Sequence, residues 1–435
     1  IYVNHEYLFD VNPPYVNNND LPIGSYRTWF EVPETFNDKE IILHFASIAG
    51  AATIYVNGQK VGYSKVSKTS AEFNITSFLK KGRNLLALEV FKWSDASYIE
   101  DQDMWRLTGI ERDVMLIARS KVSIEDFFVN GDLDENYVNG ILDVDATIRN
   151  FNTQQSGNYQ LNISLLDENN KQIVTKTLDV ASISRKGNKK VSFKENINNP
   201  QKWSAEHPNL YTLYFELKDA SGNIIERTGC KTGFRKMEMK NKQLLINGQP
   251  IIINVVNLHE FYEMYGHYVD EKTSFLDINL MKQNNINAIR TCYYPQTSEI
   301  YKLCDKYGLY ILDEANIESH GLDGFDKSRH PSFNKDWEGQ YLDRTIRMFE
   351  RDKNHACVIG WSLGNESDFG PNFEVTYNWL KQNDKAKRPV QNERARELPY
   401  TDIVAPMYMG NETLSGYAER EDITRPLILC EYAHA

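Results

Sequence analysis

From Lys240 onward, short apolar runs alternate with segments whose apolar residues recur at helical spacing, and that alternation restricts this half of the chain to very few folds. "QPIIINVVN" reads as an unbroken apolar strand, "TSFLDINLMKQNN" as a helix, "INAIRTC" as a strand and "SEIYKLCDKYG" as a helix closed by Gly308. The series continues as "LYILDEAN" (strand), "YLDRTIRMFERDKN" (helix), "CVIGWSLGNE" (strand), "NFEVTYNWLKQND" (helix), "PVQNE" (strand), "DIVAPMY" (strand) and "PLILCE" (strand). Apolar strands mostly followed by helices predict a parallel sheet, and this many in a row favour a (β/α)8 TIM barrel over an open doubly wound sheet. No GxGxxG follows any strand, which weakens a dinucleotide-binding reading further. Seven candidate strands occupy about 195 residues where about 250 are typical. The expectation is a barrel truncated after its seventh strand, in a chain cut at both ends.

The first half is all β by pattern. "EIILHFASIAGAATIYVNGQKVGYSKV" (40–66) alternates apolar and polar residues around Asn57-Gly58, a pair suited to a two-residue hairpin turn. "NLLALEVFKW" and "RDVMLIARS" continue the alternation, predicting a jelly-roll β-sandwich over residues 1–118. A second series begins at Lys121 with "VSIEDFFVNG", "ILDVDATIRN", "YQLNISLLDENN", "KKVSFKE" and "LYTLYFELKD", and turn signals recur about every ten residues. It predicts an immunoglobulin-like β-sandwich over 119–237, ending near Phe234, with the barrel at 238–435.

Composition excludes several roles. A chain of 435 residues exceeds one hydrophobic core, and 41% hydrophobic with 25% charged residues reads as soluble and globular. A net charge of -11 repels phosphate backbones and anionic lipid, so neither nucleic acid nor a membrane is an expected partner. No apolar run approaches the ~20 residues of a membrane helix, and "IYVNHEYLFDVNPPY" lacks the order of a signal peptide. Localisation stays open between cytoplasm and periplasm. Five cysteines with no CxxC spacing, most of them in apolar patterns, predict reduced, buried thiols.

In a TIM barrel the chemistry sits where strands end, so the last residues of each strand can be read as a candidate pocket. They are Asn257 and His259, then Arg290 and Tyr293, then Glu314, Glu318 and His320, then Asn365 and Glu366, then Tyr408 after the sixth strand and Glu431 and His434 after the seventh. "GWSLGNESD" ends a buried strand on a carboxylate that would cost several kcal/mol if left unpaired in a core. Its place at the mouth of a polar pocket accounts for it. Two facing carboxylates are the equipment of a glycosidase, one protonated to assist the leaving oxygen and one ionised to attack the anomeric carbon or activate water. Two glutamates at strand ends alone are a weak signal, and structural ion-pair partners are the alternative in roughly one case in three. Trp93, Trp105, Trp203, Trp337 and Trp379 read as core or domain contacts, and "YIEDQD" as an acidic, solvated loop.

The surrounding words are more specific. "GWSLGNES", "LILCEYAHA", "DEANIESHG", "LMKQNNINAIR", "EDQDMWRLTGIERDV" and "DVNPPY" resemble the large bacterial β-galactosidases of glycoside hydrolase family two, and the resemblance runs from the first residue to the last. It implies sugar-binding, immunoglobulin-like and barrel domains in that order. It further implies that Glu366 is the acid/base and Glu431 the nucleophile of a retaining mechanism, and that Asn365 hydrogen-bonds the sugar 2-hydroxyl. Asn12 and Asp103 match positions where the first domain reaches into the pocket and holds galactose, and His259, Tyr408 and His434 match further pocket residues. Glu318, His320 and Glu366 match the family's magnesium ligands, a reasonable set for a hard cation. Asp103 also matches a sodium-binding position whose co-ligands would lie beyond residue 435. The substrate implied is a β-galactoside oligosaccharide or polysaccharide. Relatives assemble as oligomers, which makes a homo-oligomer of the full-length protein an expectation of the same kind.

One position departs from the pattern. Where the galactosidases usually carry a histidine before "YP", this chain reads "RTCYYP", with Tyr293. A tyrosine there could stack on a sugar ring, narrow the pocket or pack at its rim. The alternatives to a galactosidase are a β-glucuronidase, a β-mannosidase, a hydrolase of modified galactose in polysaccharides, or an inactive sugar-binding fragment.

Overall fold

The computed structural model describes residues 7–17 and 21–433. Two antiparallel sandwiches precede a parallel α/β region, as the alternation of patterns predicts. The first sandwich packs a four-stranded sheet (Ile23–Glu31, Arg83–Phe91, Ala51–Val56, Gln59–Ser64, in spatial order) against a three-stranded one (Ala71–Asn74, Glu40–Phe45, Val114–Arg119). Phe45, Ile54, Val56 and Leu88 lie in the core between them. The Asn57-Gly58 turn forms as its residues dictate. Both have positive φ (52° and 80°), Val56 pairs with Gln59, and the Asn57 amide donates to Asn84 Oδ1 at 2.8 Å.

The second sandwich has a three-stranded sheet (Val122–Leu133, Gly140–Asn150, Asn188–Ile197) and a four-stranded sheet (Gln172–Val180, Tyr159–Leu166, Tyr211–Lys218, Ile224–Thr232). Its core is built from the inward alternates of both, among them Leu142, Val144, Ile163, Leu213 and Phe215. Trp203 ties it to the barrel. The indole is fully buried, Nε1 donates to the Asp305 carbonyl at 2.9 Å, and the ring meets Tyr310 edge-on.

In the barrel, five parallel strands pair in sequence order: Val255–Asn257, Ala288–Arg290, Tyr310–Glu314, Val358–Ser362 and Val390–Gln391. Helices α1 (Glu271–Gln283), α2 (Ser298–Tyr307), α3 (Glu338–Asp352) and α4 (Pro371–Asn383) connect them, and Gly308 closes α2 in the left-handed conformation at φ 76°. The sixth and seventh strands are present as parallel bridges, Gln391 to Ile403, Val404 to Leu427 and Met407 to Glu431. A helix missing from the sequence pattern, α5 (Asn411–Glu419), lies between them with no buried residue, which explains its weak periodicity.

"QPIIINVVN" is not one strand. Asn247-Gly248 turns the chain so that Gln249–Pro250 pairs back on Ile246 and Leu245, and only Val255–Asn257 enters the parallel sheet. The first and seventh segments meet through Asn257 Nδ2, which donates to the Cys430 carbonyl at 3.1 Å. A groove of about 670 Å³ opens between residues 251–255 and 426–429. Four of the five cysteines are buried and all are unpaired thiols. Among the described residues, no helix is long and apolar enough to cross a membrane.

A buried ion cluster joins the first sandwich to the barrel. Glu260 accepts from Arg112 Nη2 at 2.9 Å and Lys68 Nζ at 3.3 Å, and Lys68 also pairs with Glu111 at 3.0 Å. Burial works to raise the Glu260 carboxyl, and the Arg112 and Lys68 charges overcome it, holding it below the ordinary glutamate value. Such a group stabilises the fold fully above its unfolded pKa of about 4.3 and loses that contribution as pH falls through the lower folded value. Glu260→Gln is therefore expected to unfold with about 3–5 kcal/mol less stability at neutral pH. In thermal melts, the wild type should lose stability more steeply than the variant below about pH 4. Parallel acid sensitivity of the two proteins would contradict this account.

Candidate active site

The strand ends converge on one buried cation. Arg290, last residue of the second strand and 1% exposed, donates Nε and Nη2 to the Glu314 carboxylate at 3.0 and 2.9 Å. It also donates Nη2 to Asn365 Oδ1 at 2.8 Å and Nη1 to Glu431 Oε1 at 3.3 Å. Ser362 donates to Glu314 as well. Glu431 collects two phenols besides the guanidinium: Tyr293 donates to Oε1 at 3.1 Å and Tyr408 donates to Oε2. One cationic and two neutral donors thus converge on Glu431, which is 8% exposed.

Glu366 is held differently. Gly364 has φ 149°, and a Cβ there would stand 2.7 Å from the Ile317 carbonyl, so only glycine lets the fourth strand approach the third this closely. The Asn365 N–H donates to that carbonyl at 2.9 Å, and Glu366 follows at φ 33°, a left-handed conformation that costs a non-glycine residue about 1–2 kcal/mol. Its Oε2 lies 3.1 Å from His320 Nδ1 and 3.4 Å from Asn365 Nδ2, and its Oε1 lies 3.3 Å from Arg394 Nη2. Burial pushes the Glu366 carboxyl above the ordinary value, with His320 and Arg394 opposing and Glu431 adding to the rise.

The first sandwich completes the wall. Residues 99–101 run beside Glu318 as a parallel bridge: the Glu318 N–H donates to the Ile99 carbonyl at 3.0 Å and the Asp101 N–H to the Glu318 carbonyl at 3.1 Å. Glu318 in turn bridges to Asn365. The acidic "EDQD" stretch is therefore not a solvated loop: Asp101 and Gln102 are buried, and Gln102 donates to Asn316 Oδ1 at 2.8 Å. Asp103 is delivered to His320, Oδ2 to Nδ1 at 3.2 Å.

Asp103, Glu318, His320 and Glu366 each place one ligand atom within 4.8 Å of the others. Glu318 is fully buried and, among the described residues, neither of its carboxylate oxygens has a hydrogen-bond partner, while burial, Asp103 and Glu366 push its carboxyl well up. The Asp103 hydrogen bond and Glu366, against burial, push His320 up to about 9. Three carboxylates and one imidazole around two orphaned oxygens fit a hard divalent cation, which would occupy the place that protons otherwise take.

The expected residues thus separate by position. Glu366, Glu431, Asn365, Tyr293 and Tyr408 share one network through Arg290, and Glu318, His320 and Asp103 form the adjoining cluster. Tyr293 is 8% exposed with its hydroxyl on Glu431, so it does not sit at the rim. His259 packs edge-on to Tyr293 with Nδ1 3.2 Å from the Tyr294 hydroxyl, and burial, helped by Lys68, lowers it to about 3, which keeps it neutral. Asn12 is exposed and its side-chain oxygen accepts from Arg329 at 2.6 Å, which makes it the outlying member. His434 lies outside the described residues. Pattern reading listed no pocket residue for the fifth strand, yet that strand ends in Glu393 and Arg394, both drawn into the cluster. Burial raises the Glu393 carboxyl to about 7. "NERAR" after an apolar strand was the available signal.

The chain belongs to the glycosyl hydrolases of family 2. Residues 1–120 match that family's sugar binding domain and 237–435 its TIM barrel domain, and 122–235 between them match a further model of glycosyl hydrolases family 2. Among its relatives is a beta-galactosidase of Priestia megaterium, 41% identical over 434 residues covering 98% of this chain and 42% of that protein. A beta-galactosidase of Alteromonas mediterranea is 42% identical over all of this chain and 42% of its own length. The chain therefore spans about 42% of the length of these curated relatives. Similar folds include a Bifidobacterium dentium beta-glucuronidase (TM-score 0.80, 23% identity, 94% of this chain and 74% of that one). A Bacteroides uniformis beta-glucuronidase is comparable (TM-score 0.82, 20% identity, 95% and 53%).

If Arg290 neutralises two buried carboxylates, Arg290→Met should cost about 3–5 kcal/mol in denaturant unfolding. Arg290→Lys should recover little of that loss, since an ammonium cannot form the paired bonds to Glu314. Full recovery by lysine would show that charge alone matters there.

Proposed function

We propose that the whole protein is a retaining exo-β-galactosidase that releases terminal non-reducing β-D-galactose by double displacement. The observation that carries this reading is the unequal setting of the two glutamates. Glu366, raised by burial, is suited to give a proton to the glycosidic oxygen. Glu431, approached by Arg290 and two tyrosine hydroxyls, is suited to attack the anomeric carbon as an anion. The bond to the leaving sugar breaks as Glu431 bonds to galactose and Glu366 becomes a carboxylate. Glu366 then takes a proton from water as that water displaces Glu431. Asn365, with its carbonyl oxygen held by Arg290, can turn its amide N–H to the sugar 2-hydroxyl.

Glu318, Glu366, His320 and Asp103 would hold a magnesium ion, whose positive charge would steady the acid carboxylate. The relatives named as beta-galactosidases support galactose as the sugar. A modified galactose is the second reading, favoured by the buried Tyr293 hydroxyl beside Glu431, which narrows that side of the pocket.

Chromogenic β-galactoside, β-glucuronide and β-mannoside should be offered to this chain and to the protein extended past Ala435. Turnover of the galactoside by the extended form supports the proposal, and preference for another sugar would overturn it. In that form, Glu431→Gln should abolish turnover while substrate still binds. Glu366→Gln should slow substrates with poor leaving groups by about 10²–10⁴-fold. Chelation should lower activity and the melting temperature together, with magnesium restoring both in the wild type and not in Glu318→Gln. Indifference to chelators would remove the metal from the mechanism.

A further inference from the structure

Arg394 has no role assigned by the reading above, yet it touches three carboxylates around the site. Its Nη2 lies 3.3 Å from Glu366 Oε1 and 3.3 Å from Asp323 Oδ2, and its Nε lies 3.2 Å from Glu393 Oε2. These carboxylates come from the loops after the fourth, third and fifth strands, so one guanidinium spans three strand ends. The contact to Glu366 is on the oxygen opposite the one facing His320, so the carboxylate is gripped from both sides. Glu393 is 8% exposed and its Oε2 makes no hydrogen bond among the described residues, which means the Arg394 contact is an ion pair out of hydrogen-bond line. The Arg394 side chain itself is 34% exposed, so it stands at the open edge of the pocket and not in a packed core.

We propose that Arg394 is a positioning residue for the acid carboxylate of Glu366, fixing the direction in which its proton is presented to the leaving group. This rests on the assignment of Glu366 as the acid. Glu366 occupies a left-handed backbone conformation at a strand end, and among the described residues the hydrogen bond that reaches its Oε1 comes from this guanidinium. Asp323 anchors the arginine through the same Nη2 that meets Glu366, so one nitrogen, with its two N–H donors, is shared between the two carboxylates.

The test uses the extended protein and two aryl β-galactosides, one with a strongly activated phenol that leaves without proton assistance and one with an unactivated phenol that needs it. Arg394→Gln is expected to lower kcat on the unactivated substrate by about tenfold or more and on the activated one by less than about threefold. Arg394→Lys should recover part of the loss, and Asp323→Asn, which removes only the anchor, should reproduce it in weaker form. Equal losses on both substrates, no loss, or a raised KM at unchanged kcat would each overturn the proposal. If Arg394→Gln fails to fold, the lysine and Asp323→Asn variants carry the same comparison. Glu366→Gln is measured alongside: absence of leaving-group dependence there would mean that the acid assignment fails, and the positioning role with it.

Discussion

The guanidinium of Arg290 is the interaction on which the site depends. It sits at the centre of the barrel's mouth among Glu314, Glu431 and Asn365, all supplied by other strands. Without a cation there, two carboxylates would be buried close together with no compensating charge, and neither could stay ionised cheaply. Arginine is the residue for this task because its planar fork can bond Glu314 twice and still present edges to two more partners. The same charge explains why the nucleophile candidate and the asparagine beside the acid candidate belong to one rigid unit.

Around that centre the barrel uses its strands unequally. The second, third and fourth are paired over three or more residues and deliver Arg290, Glu314 and the Asn365-Glu366 pair from well-formed sheet. The sixth and seventh are held by single bridges, and their residues are steadied instead by side chains, as Tyr408 and Glu431 show by bonding each other through both backbone and side chain. Precision at Glu366 comes from regular structure, and at Glu431 from hydrogen bonds.

Much of this was legible in the chain because apolar periodicity is strong where elements are buried. The helix and strand words of the barrel, the Asn57-Gly58 turn and the strands of both sandwich cores announce themselves by their patterns. Edge strands do not. Ile23–Glu31, Gln172–Val180 and Ile224–Thr232 each flank a sheet on one side only and bury at most one residue, so their apolar alternation is faint. The site was legible as a set of strand-end polar residues, yet three-dimensional facts decided its wiring. That Asp101 is buried, that Tyr293 turns inward to Glu431, and that Arg394 reaches across two loops depend on contacts between residues far apart in sequence.

The bridge from Glu100 through Glu318 to Asn365 has a consequence for how such proteins can change over time. A sandwich that donates backbone to its neighbour's pocket is not a detachable module. Exchanging it for a homologous domain would replace part of the wall that orients Asp103 and Glu318, so the recombination that shuffles independent domains is closed to this pair. The two must vary together, and substitutions tolerated in one are filtered by what the other already contains.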